Sequence, residues 1–357
     1  MTTPSRQALG IALLALASGA SRLSAQAPTV TVSGVGYVQY LYQLKQDSSL
    51  TGKGHQNNFD VTRAYVNVLG KFPAGLSTRV TLDLDGRKAA SNQLSIRLKY
   101  AYLAWTPEKS PLTFKLGEIH TPLLDWEEAL WDYRMQGTMA MERAGYVSSS
   151  DFGAGIDGNW GYDKVNMQVG VYNGENYSGA PGDQRKDLMG RISLKLLNTD
   201  VPGRVGGLRV TGYAQYGKPT TGGRRQRVLG MVSYKSKMLT LAGEIAATRD
   251  SVTGGSFSGT AVTPAANKTG RIYSVFGVLN VPQSKFGIIG RLDITDPQTG
   301  SATNDRQTRI IGGVSYQVNP NFRLLADVDN VSRQGGNYAN AFNATRSTGF
   351  LQAQFTF

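Results

Sequence analysis

The chain has 357 residues, of which 38 are Lys or Arg and 25 are Asp or Glu, giving a formal net charge of +13. Hydrophobic residues make up 40% and charged residues 18%, which excludes an intrinsically disordered chain. The absence of Cys excludes disulfide frameworks, thiol catalysis and thiolate metal sites, and only His55 and His120 remain for a histidine metal site. The basic surplus indicates an anionic partner, such as nucleic acid, a lipid surface or a small anion.

The N-terminus has the three parts of a secretory signal peptide. Arg6 precedes a short apolar stretch at residues 8–17, and small residues at 24–27 provide a cleavage site. A buried helix or a membrane anchor is the alternative interpretation, but the stretch is too short to span a membrane. We therefore predict a signal peptide over residues 1–27 and a mature domain over residues 28–357, with a net charge of 36 − 25 = +11. Export argues against a nucleic-acid partner.

The rest of the chain alternates between apolar and polar residues with period two, which is typical of β-strands with one apolar face. In the final segment Leu351, Ala353, Phe355 and Phe357 share one face, and the intervening residues share the other. No segment after the N-terminus is apolar over 18 residues, so no transmembrane helix is predicted. We count about sixteen alternating segments, near residues 29–43, 59–71, 76–86, 94–105, 111–118, 152–160, 164–172, 188–197, 207–216, 226–236, 239–248, 271–281, 285–295, 308–318, 321–332 and 346–357.

Short and long links alternate between these segments. Even-numbered segments are followed by tight links such as 72–75 and 282–284, and odd-numbered segments by long polar links such as 173–187 and 249–270. Antiparallel strands that cross a bilayer require this alternation, with turns on the periplasmic side and loops outside. A soluble sandwich or propeller is the alternative, but the uniform apolar face and the aromatic residues near segment ends favour a membrane barrel with aromatic girdles.

We therefore predict an all-β fold, a transmembrane antiparallel β-barrel of about 16 strands in the bacterial outer membrane. Side chains cannot fill a barrel of this size, so an aqueous channel remains. The chain ends on Phe357, which is similar to the terminal signature that the outer-membrane assembly machinery recognises. The predicted function is a diffusion pore, with outer-membrane lipid and small hydrophilic or anionic solutes as its partners.

Residues 119–151 form the longest stretch without alternation. Within it, residues 123–135 are predicted to form a short helix, because Leu123, Trp126 and Leu130 recur at roughly helical spacing. A loop of this length in a compact fold is functional or disordered, and its tryptophans argue against disorder. We predict a constriction loop that folds into the lumen after strand 5, because its apolar face needs a wall to pack against. An external cap over the mouth is the alternative.

The N-terminal half carries four short motifs. They are Arg-Ala-Tyr leading to Gly-Lys-Phe (63–72), Lys-Tyr-Ala-Tyr-Leu-Ala-Trp (99–105), Lys-Leu-Gly-Glu leading to proline (115–122) and Met-Glu-Arg-Ala (141–144). Together they resemble the phosphate-selective porin O and P family of outer-membrane proteins, while the C-terminal half shares only the strand rhythm and the final Phe. The resemblance implies a homotrimer of sixteen-stranded barrels, each with its own pore, that passes small anions through a basic lumen.

The sequence departs from the family pattern where selectivity is decided. In the family a Gln-x-Lys follows the glycine of the fifth strand, whereas this chain has Glu118, Ile119 and His120 there, which replaces a fixed cation with a residue that is mostly neutral near pH 7. The predicted constriction loop carries more acids than bases, unlike the Arg and Lys rings of a dedicated phosphate filter. Its charged and titratable residues are His120, Asp125, Glu127, Glu128, Asp132, Arg134, Glu142 and Arg143.

The predicted barrel wall carries the opposite charge. In the fourth segment Arg97 and Lys99 are predicted to face the lumen, and Tyr100 and Tyr102 the lipid. By the same parity, the acids of the lumen are Asp83, Asp85, Asp157, Glu244, Asp293, Asp327 and Asp329. The predicted pore-lining basic residues are Arg63, Arg79, Arg97, Lys99, Lys115, Arg191, Lys195, Arg209, Arg227, Arg291, Arg309, Arg323 and Arg346. A basic wall opposite an acidic loop predicts a transverse field and a weak preference for anions such as phosphate.

The sequence predicts no enzyme, no cofactor and no metal site. His55 lies in an outer loop and His120 at the start of the long loop, and no nucleophile elbow accompanies either. Glycine pairs such as Gly34 and Gly36 lie within strands rather than before helices, which argues against a dinucleotide-binding fingerprint. A plugged, structural or adhesive outer-membrane barrel without steady conductance is the alternative to an open pore.

Overall fold

The computed structural model describes residues 27–45, 55–88, 94–177, 184–218, 223–252, 256–257, 260–261, 266–300, 305–334 and 346–357. The predicted signal peptide, apart from residue 27, lies outside these ranges and stays a prediction. In the described part of the chain, sixteen antiparallel strands close into one barrel, which confirms the predicted fold class.

The strand bounds agree with the alternating segments to within about five residues. The barrel strands are β1 (Thr29–Lys45), β2 (Asn57–Lys71), β3 (Leu76–Lys88), β4 (Leu94–Trp105), β5 (Leu112–His120), β6 (Ser150–Trp160), β7 (Val165–Tyr172), β8 (Asp187–Leu197), β9 (Gly207–Gly217), β10 (Arg224–Lys235), β11 (Leu239–Val252), β14 (Ala266–Asn280), β15 (Phe286–Asp296), β16 (Gln307–Asn319), β17 (Phe322–Arg333) and β18 (Arg346–Thr356). A two-stranded hairpin that the sequence did not predict, β12 (Ser256–Phe257) and β13 (Thr260–Ala261), lies in the link between β11 and β14.

The helical parts of the described chain are short. Helix α1 (Leu124–Trp131) and helix α2 (Ala140–Arg143) both lie between β5 and β6, and 3-10 turns cover Pro73–Gly75 and Arg134–Gln136. None of the helices in the described ranges combines the length and the hydropathy that a membrane crossing requires.

The alternation sorts side chains to the two faces of the barrel. On β18, Leu351 is 61% exposed on the outer face, whereas Gln352 is 5% exposed and points into the lumen, where its amide binds the carbonyl of Met135. The outer face therefore presents an apolar surface to lipid, as the period-two pattern predicts.

The first and last strands close the barrel through backbone and ring contacts. The amide of Gly34 donates to the carbonyl of Phe357 at 2.8 Å, and the amide of Phe357 donates to the carbonyl of Gly34 at 3.1 Å. On the outer face the ring of Phe357 lies over Gly34 and the ring of Phe355 lies over Gly36, so closely that a Cβ would come within 2.2 and 2.3 Å of the rings. These two glycines therefore make room for the aromatic side chains that cover the seam.

A β-bulge corrects the predicted parity of β4. Thr81 of β3 pairs with Tyr100 and Leu82 pairs with Leu98, so Lys99 has no opposite residue. Lys99 and Tyr100 are both buried in consequence, and Tyr100 stacks on His120 with ring centroids 3.9 Å apart. The prediction that Tyr100 and Tyr102 face lipid was therefore wrong, because a bulge shifts every later side chain to the other face.

The links follow the predicted alternation, with one departure. Most links on the side of the N-terminus are tight turns, and the links at the opposite end are longer. Residues 198–206, between β8 and β9, form the longest link on the short side, and Arg204 in this link binds Asp125 of α1. This turn therefore contributes a side chain that binds the helix inside the lumen.

We expect the double substitution Gly34→Ala and Gly36→Ala to lower the free energy of unfolding by about 1–3 kcal/mol, because two new methyl groups must displace the rings that cover the seam. Gly290→Ala is the matched control, since within the described part of the chain a Cβ there meets no atom within 4 Å. Urea unfolding in lipid vesicles, followed by tryptophan fluorescence, measures the difference. Equal midpoints for the double variant and the control would contradict a role of ring packing at the seam.

Candidate functional site

Residues 121–149, between β5 and β6, pack against the lumen-facing side chains of strands on the far side of the barrel. Strand β5 continues through His120 and β6 begins at Ser150, so the segment is two residues shorter at each end than predicted. Helix α1 ends at Trp131, before the predicted end at residue 135, because Asp132 adopts a left-handed backbone conformation with φ of 53°. His120 therefore belongs to the end of β5.

Wall cations hold this segment by donating hydrogen bonds to its backbone carbonyls. A segment outside the sheet leaves its carbonyls without ladder partners, and charged donors satisfy them strongly. The donor and acceptor residues are Arg191 to Pro122 (2.9 Å), Lys235 to Ala129 (2.6 Å), Arg323 to Asp132 (2.8 Å), Arg291 to Thr138 (3.0 Å) and Arg227 to Tyr146 (3.3 Å). Four of the basic residues predicted to line the pore are therefore anchors of the internal segment.

The apolar face of the segment packs against an apolar part of the lumen wall. Trp126, Leu130 and Trp131 are fully buried, and the ring of Trp131 meets that of Phe276 edge-on with centroids 5.6 Å apart. The hydroxyl of Tyr133 binds that of Ser315 on β16 at 2.7 Å. The apolar side chains of the wall in the same cluster include Met189, Leu229, Met231, Ile272, Phe276 and Ile289. This packing places the helix inside the barrel, because an external cap could not reach these lumen-facing residues.

Three arginines surround the indole ring of Trp126. The guanidinium carbon of Arg191 lies 4.0 Å from the ring centroid, that of Arg209 at 5.5 Å and that of Arg204 at 6.0 Å. Arg204 also binds the carboxylate of Asp125 at 2.6 Å and its carbonyl at 3.0 Å. The neighbouring His120 ring and the Arg204 guanidinium hold the pKa of Asp125 well below its usual range, although burial opposes ionisation. Asp125 is therefore ionised, and its negative charge is compensated by Arg204.

The other acids of the segment are also paired. Glu128 accepts a hydrogen bond from Arg134 Nε at 2.7 Å, and Glu142 lies 3.4 Å from the same guanidinium. Asp132 pairs with Arg323 of β17 at 3.1 Å. The acidic surplus of the loop therefore does not face the lumen as free negative charge, which corrects the predicted acidic side of the transverse field.

Glu127 is the exception, because its partner is another carboxyl group. It is fully buried and faces Glu244 of β11, and within the described part of the chain no other residue donates a hydrogen bond to the oxygens of either side chain. Burial and the carboxyl group of Glu244 raise the pKa of Glu127 well above its usual range, and Arg291 offsets this only in part. The contact between Glu127 of α1 and Glu244 of the wall therefore favours the protonated form of the Glu127 carboxyl group.

The lumen face of β2–β5 carries basic side chains that do not anchor the backbone of the internal segment. Asp83 lies 3.1 Å from Arg97 and 3.5 Å from Arg63, Lys115 pairs with Asp157, and Lys99 donates to the hydroxyl of Tyr65 at 3.1 Å. The basic residues of this arc are Arg63, Arg79, Arg97, Lys99 and Lys115, and the described carboxylates that pair with them are those of Asp83 and Asp157. Asp60 of β2 adds a further carboxylate beside the cavity that Arg63 lines. Among the described side chains, basic residues therefore still outnumber carboxylates on this arc, by a small margin.

A cavity separates this basic arc from the internal segment. Its volume is about 390 Å³, and Tyr37 and Arg63 line it on the wall side. Arg134, Thr138 and Arg143 line it on the side of the segment. The cavity is polar and roomy enough to hold water, so a hydrated solute fits there.

Arg143 of α2 lies among wall charges of both signs. Its Nη1 is 3.7 Å from Asp293 Oδ2, and Arg309 beside it binds Asp329 at 2.5 Å. Burial, Arg309 and Arg291 together lower the pKa of Arg143 to about 9. This cluster of guanidinium groups is only partly compensated by its two aspartates.

The remaining predicted residues lie toward the two mouths or beside β5. Lys195 donates to the carbonyl of Tyr162 at 3.3 Å and Arg209 to that of Asp163 at 2.7 Å, so both serve the periplasmic turns. Arg79 lies 3.2 Å from His120 Nε2. Arg346 is exposed at the start of β18. Among the predicted lumen acids, Glu244, Asp293, Asp327 and Asp329 are buried, and the side chain of Asp85 lies outside those described.

Sequence reasoning missed several residues that shape the lumen. Tyr65 and Tyr100 join the basic arc, and Lys235 and Gln352 hold the carbonyls of the segment. The polar parity of β10 and β18 offered a signal for Lys235 and Gln352, but nothing in the sequence marked Arg204 in its turn. Within the described ranges, no three His, Asp or Glu side chains come together as metal ligands.

The comparisons with known proteins agree with this architecture. The model of the phosphate-selective porin O and P family matches residues 30–258, which is more than half of the chain. The chain belongs to the phosphate-selective porin O and P family. It is an outer-membrane channel protein, as membership in this family and the closed barrel together establish. None of the curated proteins compared with the sequence matches it.

Several solved proteins, one of them an anion-selective porin, share the fold of this chain. An anion-selective porin from Comamonas acidovorans has a TM-score of 0.69 at 10% identity, covering 93% of this chain and 100% of that one. OmpF of Salmonella typhi, in complex with daunomycin, has a TM-score of 0.68 at 13% identity, covering 92% and 97%. The trimer form of OmpT, an outer-membrane protein of Vibrio cholerae, has a TM-score of 0.61 at 12% identity, covering 93% and 100%.

We expect Glu127→Gln to stabilise the porin above neutral pH. The raised pKa of Glu127 means that the folded chain keeps a proton that the unfolded chain releases above about pH 4.5, so folding stability falls as the pH rises past that value. Glutamine removes this loss, and the free energy of unfolding should rise by about 1–3 kcal/mol at pH 8 and stay unchanged at pH 4.

The neighbouring substitution Glu128→Gln is the control, because it weakens the pair with Arg134 and should lower stability at pH 8. Urea unfolding of both variants at pH 4 and pH 8 measures the two effects. A Glu127→Gln variant less stable than wild type at pH 8 would contradict a protonated contact with Glu244.

Proposed function

We propose that this porin forms a water-filled channel for passive diffusion of small hydrophilic solutes, with a weak preference for anions such as phosphate. The observation that carries the proposal is the excess of described basic side chains on β2–β5, of which Arg63 lines a polar cavity, while the acids of the internal segment other than Glu127 are paired. A positive wall raises the local concentration of anions and lowers that of cations.

The preference is weak because the charges are partly compensated. Asp83 lies against Arg63 and Arg97, and Asp157 lies against Lys115, so the local field is smaller than five isolated cations would produce. Lys99 sits beside Tyr65 and Tyr100, with its Nζ 4.6 and 5.5 Å from the two ring centroids. Hydrated anions would pass along this arc without being held tightly, which is what conduction requires.

The internal segment acts as the constriction in this proposal. It occupies the side of the lumen toward β8–β18, where it packs on apolar side chains and is held through its carbonyls. The cavity on the side of β1–β5 is the path proposed for solutes. His120, Asp125, Glu127, Glu128, Asp132, Arg134, Glu142 and Arg143 shape this path mainly by fixing the segment in place.

We infer a homotrimer in the outer membrane, since the family resemblance implies one and a trimer form is known for the Vibrio cholerae protein of the same fold. Phe357 is the residue that the outer-membrane assembly machinery would recognise, and its exposed position on the outer face of the seam is compatible with that role. The outer apolar surface contacts lipid.

A plugged or adhesive barrel is the alternative, and the dense packing of the internal segment favours it on the side of β8–β18. Single-channel recording in planar bilayers separates the two, because a plugged barrel shows no steady open level. A catalytic role is not proposed, because the two histidines do not share a site. His55 lies just before β2 and binds the carbonyl of Gln43 at 2.6 Å, whereas His120 is the last residue of β5.

We expect a reversal potential in a KCl gradient that shows a few-fold preference for chloride over potassium. Arg97→Ala and Lys99→Ala should each reduce this preference, because each removes one positive charge from the arc beside the cavity. Lys237→Ala in the periplasmic turn after β10 is the matched control and should leave selectivity unchanged. A clear preference for potassium in the wild-type protein would overturn the proposal, and unchanged selectivity in both arc variants would show that β4 does not govern the path.

A further inference from the structure

The outer face of the barrel carries arginines at the extracellular ends of neighbouring strands. In the register of the sheet, Arg249 of β11 lies opposite Gln226 of β10, and Arg271 of β14 lies opposite Ala247 of β11. Arg224 at the start of β10, Arg249, Arg271 and Arg306 just before β16 are all exposed. They share the outward parity of the apolar residues that face lipid. We name Arg224, Arg249, Arg271 and Arg306 the arginine belt.

The belt begins where the apolar surface ends. Tyr273, an exposed aromatic residue on β14, is two residues from Arg271, and exposed Ile245 is four residues from Arg249 on β11. Two residues along a strand correspond to about 7 Å, so the guanidinium groups lie about 7–14 Å beyond the apolar band. This is the depth of lipid headgroups at the outer surface of the membrane.

The belt carries more positive than negative charge, with Asp296 of β15 opposite Arg271 in the sheet register. Within the described part of the chain, no carboxylate lies within 4 Å of the guanidinium groups of Arg224, Arg249 or Arg271, and Arg306 lies 3.9 Å from Asp296. Asp250 points into the lumen instead, where it binds Arg227 at 2.8 Å. Lys218, just after β9, is exposed and extends the positive surface.

The belt covers one arc of the barrel and not the whole rim. On β2 and β4 the outward residues near the extracellular end are apolar, with Phe59 84% exposed and Ile96 67% exposed. A funnel that served the pore alone would place its charges on the lumen face around the mouth. The position of the belt, on the outside of one arc, points to a partner in the membrane.

We propose that the arginine belt binds the phosphate groups of the anionic lipid in the outer leaflet. Guanidinium groups bind phosphate through two parallel hydrogen bonds, and adjacent strands about 5 Å apart place several such groups along one surface. The outward direction of these side chains selects a lipid headgroup over a free anion in the pore. This proposal is independent of ion selectivity, since none of the four arginines faces the lumen.

The test compares lipid binding of the refolded full-length porin with that of a variant carrying Arg224→Gln, Arg249→Gln, Arg271→Gln and Arg306→Gln. The probe is fluorescently labelled lipid A in detergent micelles, with and without its phosphate groups. We expect the phosphorylated probe to bind the wild-type protein, and the affinity to fall by about fivefold for each arginine removed. The dephosphorylated probe should bind both proteins equally weakly.

A variant carrying Lys71→Gln, Lys109→Gln, Lys237→Gln and Lys285→Gln, all exposed at the periplasmic end, removes the same number of charges and should bind the probe as the wild type does. Unchanged single-channel conductance in the belt variant shows that the barrel has folded and separates this test from that of the channel. Equal affinity of the belt variant and the wild type for the phosphorylated probe would overturn the proposal. So would displacement of the probe by millimolar inorganic phosphate at constant ionic strength, which would assign the belt to free anions.

Discussion

The interior of this porin depends on hydrogen bonds from wall cations to the backbone carbonyls of an internal segment. A non-sheet segment within a barrel has peptide groups without ladder partners, and leaving them unsatisfied in a packed interior would cost several kcal/mol. Arg191, Lys235 and Arg291 supply three of the donors, from three different strands. Because the donors are charged groups, these hydrogen bonds are stronger than hydrogen bonds between neutral groups.

This attachment divides the lumen into two parts with different chemistry. On the side of β8–β18 the wall is apolar where the tryptophans of α1 pack, and its basic residues are engaged by the segment. On the side of β2–β5 Arg63 and Asp60 line a polar cavity, and the neighbouring basic residues are partly compensated by Asp83 and Asp157. The charge of the pore therefore differs from the sum of its lumen-facing residues, since many of those residues bind the protein itself.

The sequence was sufficient for the barrel, because the period of two is imposed locally by the strand backbone and repeats sixteen times. The internal helix was also predictable, since its apolar residues have no place in an alternating strand. The bulge at Lys99 was not predictable, because Lys99 and Tyr100 are compatible with either face, and only the pairing of β3 with β4 fixes the shift. The role of Arg204 was equally hidden, because a turn has no periodicity from which a direction can be read.

The electrostatic field of residues 119–151 was not predictable from their composition either. Counting acids in residues 119–151 predicted a negative surface, but Arg134 lies between Glu128 and Glu142, and Arg204 and Arg323 reach in from elsewhere. Composition reports how many charges a segment has, while the field depends on distances between residues far apart in the chain. The pair of Glu127 and Glu244 is a further example, since neither residue alone indicates that the other lies against it.

The attachment of the internal segment has a consequence for the order in which the protein assembles. Gln352, which binds the carbonyl of Met135, follows it by 217 positions, and Arg323 follows Asp132 by 191. The segment is synthesised early, yet its last anchors come from the strands that are made at the end. Contacts so distant along the chain form slowly, because the intervening chain must be ordered first. The last anchors of the segment therefore become available only when β17 and β18 are in place, and the passage should acquire a defined width only when the barrel closes.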